Sequence, residues 1–302
     1  MGSSSTGRRL GTFLWILSFL LMLGAGVYQR LTGPTHPMRV AVEVGDEERT
    51  MRLVRAAWTD EKARIAIPAI AGVDGGVLSW RRYPTDDAWT ELALAREGEE
   101  WVARLPIQPA AGKLEYWVDL AVDGRMQRLP AAEDGQAVLR YRDPVPLGVL
   151  IPHIAFMFFG VLIAWRAGLG AIAQPVGLGR LAWWAFGLFT IGGMILGPIV
   201  QKYAFGEYWT GIPFGWDLTD NKTLVMWLAW LIAAMALSKM RPVTGVDAAE
   251  PQRSSPAARG LVLLAAIVTV GVYLIPHSVQ GSELDYEAIE QGVPAEEAIG
   301  IG

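Results

Sequence analysis

The sequence predicts an integral membrane α-helical bundle of about five spans, with an all-β sandwich domain inserted between the first span and the second. Three observations carry that prediction. Five uncharged apolar runs each approach the ~20 residues a helix needs to cross hydrocarbon. Between the first two runs lies a block whose short alternating segments are separated by turn residues. Lys and Arg, finally, fall on one side of the membrane if the five runs alternate in direction.

The composition agrees. Apolar residues make up 52% of 302, thirteen are Trp, and the mean hydropathy is positive, which is the profile of a membrane protein. The absence of cysteine excludes disulfides, thiolate metal sites and thiol nucleophiles. A net charge of −4 without an extended basic cluster argues against a nucleic-acid partner.

Residues 1–31 form the expected N-terminal anchor. Its apolar run, Gly11–Tyr28, follows Arg8 and Arg9. The run is longer than the apolar core of a signal peptide and no A-x-A-like site follows it, so an uncleaved span is expected in preference to a cleaved signal. The remaining runs are Leu147–Trp165, Leu181–Val200, Thr223–Ser238 and Gly260–Pro276. Alternation places Arg8, Arg9, Arg166, Arg180, Lys239, Arg241, Arg253 and Arg259 on one side, which the positive-inside rule makes cytoplasmic. The chain then starts in the cytoplasm of a bacterial-type inner membrane. Residues 38–143, the loop 201–222 and the acidic tail 278–302 are exported.

Residues 38–143 read as about seven short strands, at 39–44, 64–70, 77–83, 90–95, 100–105, 113–122 and 137–142. In the clearest, KLEYWVDLAV, Leu114, Tyr116, Val118 and Leu120 share one face and Glu115, Trp117 and Asp119 the other. Seven strands with turns at such intervals predict an immunoglobulin- or fibronectin-like sandwich, with a β-barrel as the structural alternative. The stretch from Trp89 to Gly124 resembles such domains. A fold of this kind carries no chemistry by itself, so the domain is expected to bind a partner or to cap the membrane unit.

The bundle, residues 147–277, carries the candidate site. The tetrapeptide LIPH occurs at Leu150–His153 and again at Leu274–His277, and these hold two of only three histidines; the third, His36, lies in a Pro-rich connector. Both copies are expected at the outer leaflet. An ionisable group within a span usually faces the bundle, with a partner. Between the third and fourth spans, KYAFGEYWTGIPFGWDLTDNKT crowds Tyr203, Phe205, Tyr208, Trp209, Phe214 and Trp216 among Gly206, Gly211 and Gly215. An interfacial aromatic belt explains the aromatics but not the glycines, nor Asp217, Asp220, Asn221 and Lys222. Thr219, Asp220 or Asn221 is expected to cap the fourth helix. Gly193, Gly197, Ala229 and Ala233 recur at the spacing that lets helices pack closely in lipid.

The segment Phe205-Gly206, Tyr208-Trp209, Trp216-Asp217, Lys222-Thr223, Trp227-Leu228 resembles the tryptophan-rich haem-handling motif of the cytochrome c assembly membrane proteins. Phe205 stands where that family has its leading Trp, and the spacer TGIPFG is longer. The resemblance implies haem held axially by His153 and His277, which occupy the positions of the family's two ligand histidines, with Trp209, Trp216 and Asp217 around it. The residues themselves leave three readings open. His153 hydrogen-bonds to the Trp216-Asp217 loop; the two imidazoles bind haem iron; or His153, His277, Asp217 and Asp220, with Glu283 nearby, complete a mixed metal site.

No phosphate-cradling glycine loop, nucleophilic serine motif or H-E-x-x-H is present, so catalysis is not the expected role. Two functions follow. One is an accessory or scaffold protein of an envelope complex, with membrane lipid around it and a protein partner on the sandwich and aromatic loop. The other is a haem-handling protein.

Overall fold

The computed structural model describes residues 2–174, 176–240, 254–276, 281 and 283–300. The chain divides into a helical unit (residues 1–33, 145–202 and 208–280) and a β unit (34–144, 203–207 and 281–302).

Among the described residues of the helical unit, five helices are long and apolar enough to cross a membrane. The first is α1 (Gly2–Thr32) and the second α2 (Leu147–Ala173). The third begins as α3 (Leu178–Phe189), passes through a π-helical stretch, Thr190–Leu196, and continues as α4 (Gly197–Phe205). The last two are α5 (Leu218–Lys239) and α6 (Pro256–Leu274). Each outruns its apolar segment in the sequence at one end or more, because a helix continues through the polar headgroup layer until a cap or a proline stops it.

The centre of the bundle is lined by small side chains: Ala164 and Ala167 on α2, Ala182 and Ala185 on α3, Ala233 and Ala234 on α5, Ala265 on α6. Small residues let backbones approach where lipid offers no hydrophobic drive to association. A methyl group at Gly168 would lie 2.7 Å from Cβ of Ala266, and one at Gly160 would lie 2.6 Å from the Phe189 ring. Trp230 fills the space the alanines leave; it is fully buried and its indole N–H donates to Thr269 Oγ1 at 2.8 Å. The outer faces are Leu, Ile and Phe, as for a surface that meets acyl chains.

The β unit contains β1 (Met38–Val44), β2 (Glu47–Leu53), β3 (Ala56–Trp58), β4 (Ala63–Pro68), β5 (Val73–Arg82), β6 (Thr90–Ala93), β7 (Ala95–Glu97), β8 (Glu100–Leu105), β9 (Lys113–Val122), β10 (Arg125–Leu129) and β11 (Ala137–Arg142). One sheet runs β3-β11-β9-β5-β6, with β10 also paired to β9; a second runs β4-β8-β7; β1 and β2 form a hairpin. Their inner faces share one apolar core around Leu53, Ile65, Leu78, Leu105, Leu120 and Tyr141, an arrangement compatible with a β-sandwich. Leu114, Tyr116, Val118 and Leu120 of β9 are fully buried. Burial raises the Tyr116 phenol above its ordinary range, and the neutral hydroxyl donates to Val54 O at 2.7 Å.

Three strands, β2, β3 and β10, lie outside the segments expected to be strands, and the expected strand at 90–95 is divided between β6 and β7. Charged residues dominate β2, where only Met51 and Leu53 are buried, and polar residues outnumber apolar ones in β10. The sign of both hairpins is in the turns: Gly45 and the pair Asp123-Gly124 take positive φ, as two-residue hairpin loops require.

The acidic tail is part of this unit. After Gly281 it forms β12 (Glu283–Leu284), α7 (Tyr286–Glu290) and β13 (Ile299–Gly300), with β12 paired to β13. It bonds the first residue of β9, Lys113, which is buried although it points away from the core; Glu115, also buried, pairs with Arg81 of β5. The Lys113 ammonium pairs with Glu283. The Lys113 N–H donates to the Tyr286 oxygen at 3.1 Å, and the Tyr286 hydroxyl donates to Lys113 O at 3.0 Å. Burial pushes that phenol up to about 12, so it keeps its proton at neutral pH.

Arg82 holds the other end of the tail, bonding Asp87 beside it and Glu290 on α7. The hydrogen bond from Arg82 holds Asp87 below the usual carboxylate range. Stability from a depressed carboxylate is complete above its unfolded value of ~3.9 and is lost as pH falls through the folded value. Hydrogen exchange at residues 283–290 is therefore expected to stay slow from neutral pH down to about 4 and to quicken below it. In Arg82→Ala it is expected to be fast throughout.

Candidate functional site

The two LIPH copies sit in different local structures. Leu150–His153 lies inside α2, with Pro152 in the helix itself. In the second copy α6 ends at Leu274, Ile275 is its C-cap and Pro276 follows. His277 lies outside the described residues.

His153 is half-buried, and its Nδ1 lies 2.9 Å from the carbonyl oxygen of Gly192, in the π-helical stretch of the third span. Its recorded bond is to that carbonyl rather than to the Trp216-Asp217 loop. A carbonyl only accepts, so Nδ1 carries a proton, and in the neutral ring Nε2 is left with its lone pair. A methyl group on Gly197 would lie 3.8 Å from His153 Cε1, an ordinary contact, so the ring packs beside Gly197 without requiring a glycine there. The π turn brings the carbonyl of Gly192 to the imidazole while that oxygen still accepts from the N–H of Gly197. Wider turns of this kind recur at functional positions in helices.

The second part of the site is the loop between α4 and α5. Asp217, not Thr219, Asp220 or Asn221, caps α5: its Oδ1 accepts from Thr219 N at 2.7 Å and Asp220 N at 3.1 Å. The helix starts one turn earlier than the sequence suggests, because Asp217 is held in place by its own N–H donating to Thr210 O at 3.1 Å. Asp220 is thereby freed to reach back. Its Oδ2 accepts from Thr210 N at 2.7 Å and Gly211 N at 3.1 Å. Asn221 Oδ1 accepts from Ile212 N at 2.7 Å. Gln201, at the end of the third span, donates to Thr210 Oγ1 at 2.8 Å. Gly211 is required by space: a Cβ there would lie 2.6 Å from Cβ of Asp220.

Lys222, one turn into α5, is buried and donates to Ile275 O at 2.7 Å and Pro276 O at 3.0 Å. It ties the start of the fourth span to the carbonyls that precede His277. The polar groups of the loop therefore point inward, and its aromatics point out. Tyr208, Phe214 and Trp216 are 56%, 67% and 70% exposed, while Trp209 is half-buried, its indole N–H donating to Ile212 O at 3.0 Å.

Of the residues the sequence singles out, Asp217 and Asp220 come together around Thr210, and Trp209 and Trp216 belong to the same loop. His153 is placed on the π-helical stretch instead. Among the described residues no group of three His, Asp or Glu side chains is arranged to hold a metal ion. Gln201, Thr210 and Gly192 hold these side chains in place, and the sequence alone does not single them out. The first two carry no charge and sit in no known motif, whereas Gly192-Gly193 inside an apolar run is a visible packing signal.

No family model, curated protein or solved structure matches this chain.

Proposed function

We propose that this chain is a non-enzymatic accessory or scaffold protein of a bacterial-type inner membrane. Its N-terminus is cytoplasmic; an exported immunoglobulin-like sandwich and the aromatic loop bind a protein partner of an envelope complex. The observation that carries this reading is the construction of the loop. Asp217, Asp220 and Asn221 spend their oxygens on backbone N–H groups of the loop, which fixes its shape. Phe214 and Trp216 are left outside with most of their surface open. A belt residue needs no rigid backbone behind it; a recognition surface does, because prior ordering lowers the entropic cost of binding. Exposed Trp and Tyr are also the residues that anchor interfaces.

Site-specific photocrosslinking in cells tests it. A photoreactive residue at Phe214 or Trp216 is expected to yield one discrete protein adduct, and the same group at Leu264, on the lipid-facing side of α6, is expected to yield lipid only. Lipid adducts alone at all three positions would reduce the loop to a membrane belt.

A second reading is favoured by the imidazole geometry. His153 donates from Nδ1 to a backbone carbonyl and presents Nε2 bare, which is the tautomer and orientation of a metal-ligating histidine. His153, together with His277, would hold haem, and Trp209 and Trp216 would be the aromatic side chains offered to it. Haem would supply redox chemistry or be cargo. The chain's own part is to hold the ring orientation through Gly192. Protein purified from haem-replete cells is then expected to show a Soret band that His153→Ala abolishes. A colourless preparation removes this reading and leaves the scaffold.

A further inference from the structure

Among the described residues of the helical unit, the side chain with unmet hydrogen-bonding capacity is Arg166. It lies on α2 and is only 8% exposed. Its Nη2 donates to Gln174 Oε1 at 3.1 Å, and its Nε and Nη1 have no partner. None of the ion pairs among the described residues involves it. The first three spans contain no Asp or Glu at all, so these helices offer no internal counter-ion. A buried cation without one is strongly destabilising, and in membranes such a group marks a ligand site.

The surroundings indicate which anion. The guanidinium lies along its own helix over Gly170, whose missing Cβ would be 2.7 Å from Nη1; the side chain thus reaches toward the end of the span, as arginines near an interface do. The 27 residues of α2 extend about 40 Å, against roughly 30 Å of hydrocarbon, so the last turns of the helix stand among headgroups. Trp15 of α1, 41% exposed, lies with its ring 5.5 Å from the guanidinium, and exposed Trp collects at headgroup level. Gln174 Nε2 donates to Gly7 O at 3.3 Å. The first span meets this amide with Gly7 and Gly11 rather than with side chains: a Cβ at Gly7 would touch nothing within 4 Å. Arg259 is already engaged with the carbonyls of Ala171 and Ile172, so it does not compete for an anion here.

We propose that Arg166, oriented by Gln174 and flanked by Trp15, binds the phosphate group of an anionic phospholipid at the arginine-bearing end of the bundle. The planar guanidinium matches phosphate oxygens, and the site is separate from the outer loop and from His153. The proposal rests on neither functional reading above.

Full-length protein in neutral detergent, doped with phosphatidylglycerol or with phosphate-free diacylglycerol, is examined by native mass spectrometry. Wild type is expected to retain one phosphatidylglycerol in preference to diacylglycerol by about tenfold, the worth of one charge-assisted contact. Arg166→Gln loses that preference, and Lys239→Gln, a cation at the same end, keeps it. Arg166→Lys, which retains charge without the fork, keeps part of the preference; it also preserves the test if the glutamine variant does not fold. Excess inorganic phosphate that displaces the lipid identifies free phosphate as a ligand of the same site, and failure to displace it assigns the site to the lipid. Equal retention of the two lipids by wild type, or an undiminished preference in both Arg166 variants, overturns the proposal.

Discussion

Asp220→Ala is expected to dismantle the outer loop while leaving the five helices intact. The carboxylate is buried and accepts the N–H groups of Thr210 and Gly211. Each buried donor left unsatisfied costs about 1–3 kcal/mol, so the pair costs about 2–6 kcal/mol. Asp220→Asn keeps an accepting oxygen at the same place and is expected to lose less than half of that. The cap on α5 survives in both, because Asp217 bonds the backbone N–H of residue 220 and not its side chain. The readouts are protease cleavage between Tyr208 and Asp217, the thermal midpoint in detergent, and helical circular dichroism. New cleavage with an unchanged helical signal is the expected pattern. Equal protection in Asp220→Ala and wild type would show that the aromatics hold the loop against the membrane by themselves, and the scaffold proposal would lose its foundation.

How much of this was legible in the sequence depends on the range of the forces involved. The helical spans were, because hydrocarbon demands a long uncharged run wherever a helix crosses it. Strand β9 was, because its alternation is enforced by a core on one face. The burial of Lys113 was not: Tyr286 and Glu283, about 170 positions away, bond it, and nothing local in KLEYWVDLAV announces a cover. The π-helical stretch was equally silent, since TIGGMIL has the same composition as any apolar helix and a π turn is one extra residue in a ladder. The cap of α5 was misplaced for a different reason. DLTDN offers several capping side chains, and the choice of Asp217 was decided by Thr210, on the far side of the loop. The repeated LIPH was visible as a pattern, yet identical tetrapeptides took different structures because one begins at the fourth residue of a helix and the other runs past the end of one.

The π-helical contact between the second and third spans is a second place where a small change is expected to be costly. A Cβ on Gly192 would lie 2.9 Å from Cβ of Phe156, 3.1 Å from the backbone nitrogen of Met157 and 3.2 Å from its sulfur. The first two atoms belong to the rigid part of α2 and cannot swing aside, so Gly192→Val has to push the two helices apart. Overpacking of this kind costs about 1–3 kcal/mol, and more when backbone must move. The separation also stretches the bond between His153 and the Gly192 carbonyl. Removing the imidazole alone is a different matter. In His153→Ala the Gly192 oxygen keeps the N–H of Gly197, no buried acceptor is stranded, and only the net worth of one hydrogen bond, about 1 kcal/mol, is lost. The expected ranking of thermal midpoints in detergent is therefore wild type, then His153→Ala close below it, then Gly192→Val well below both. A histidine that was chiefly structural would reverse the gap, with His153→Ala as damaging as the valine. The expected order means that the third span packs through its glycines and that the imidazole, although bonded to the Gly192 carbonyl, adds little to stability.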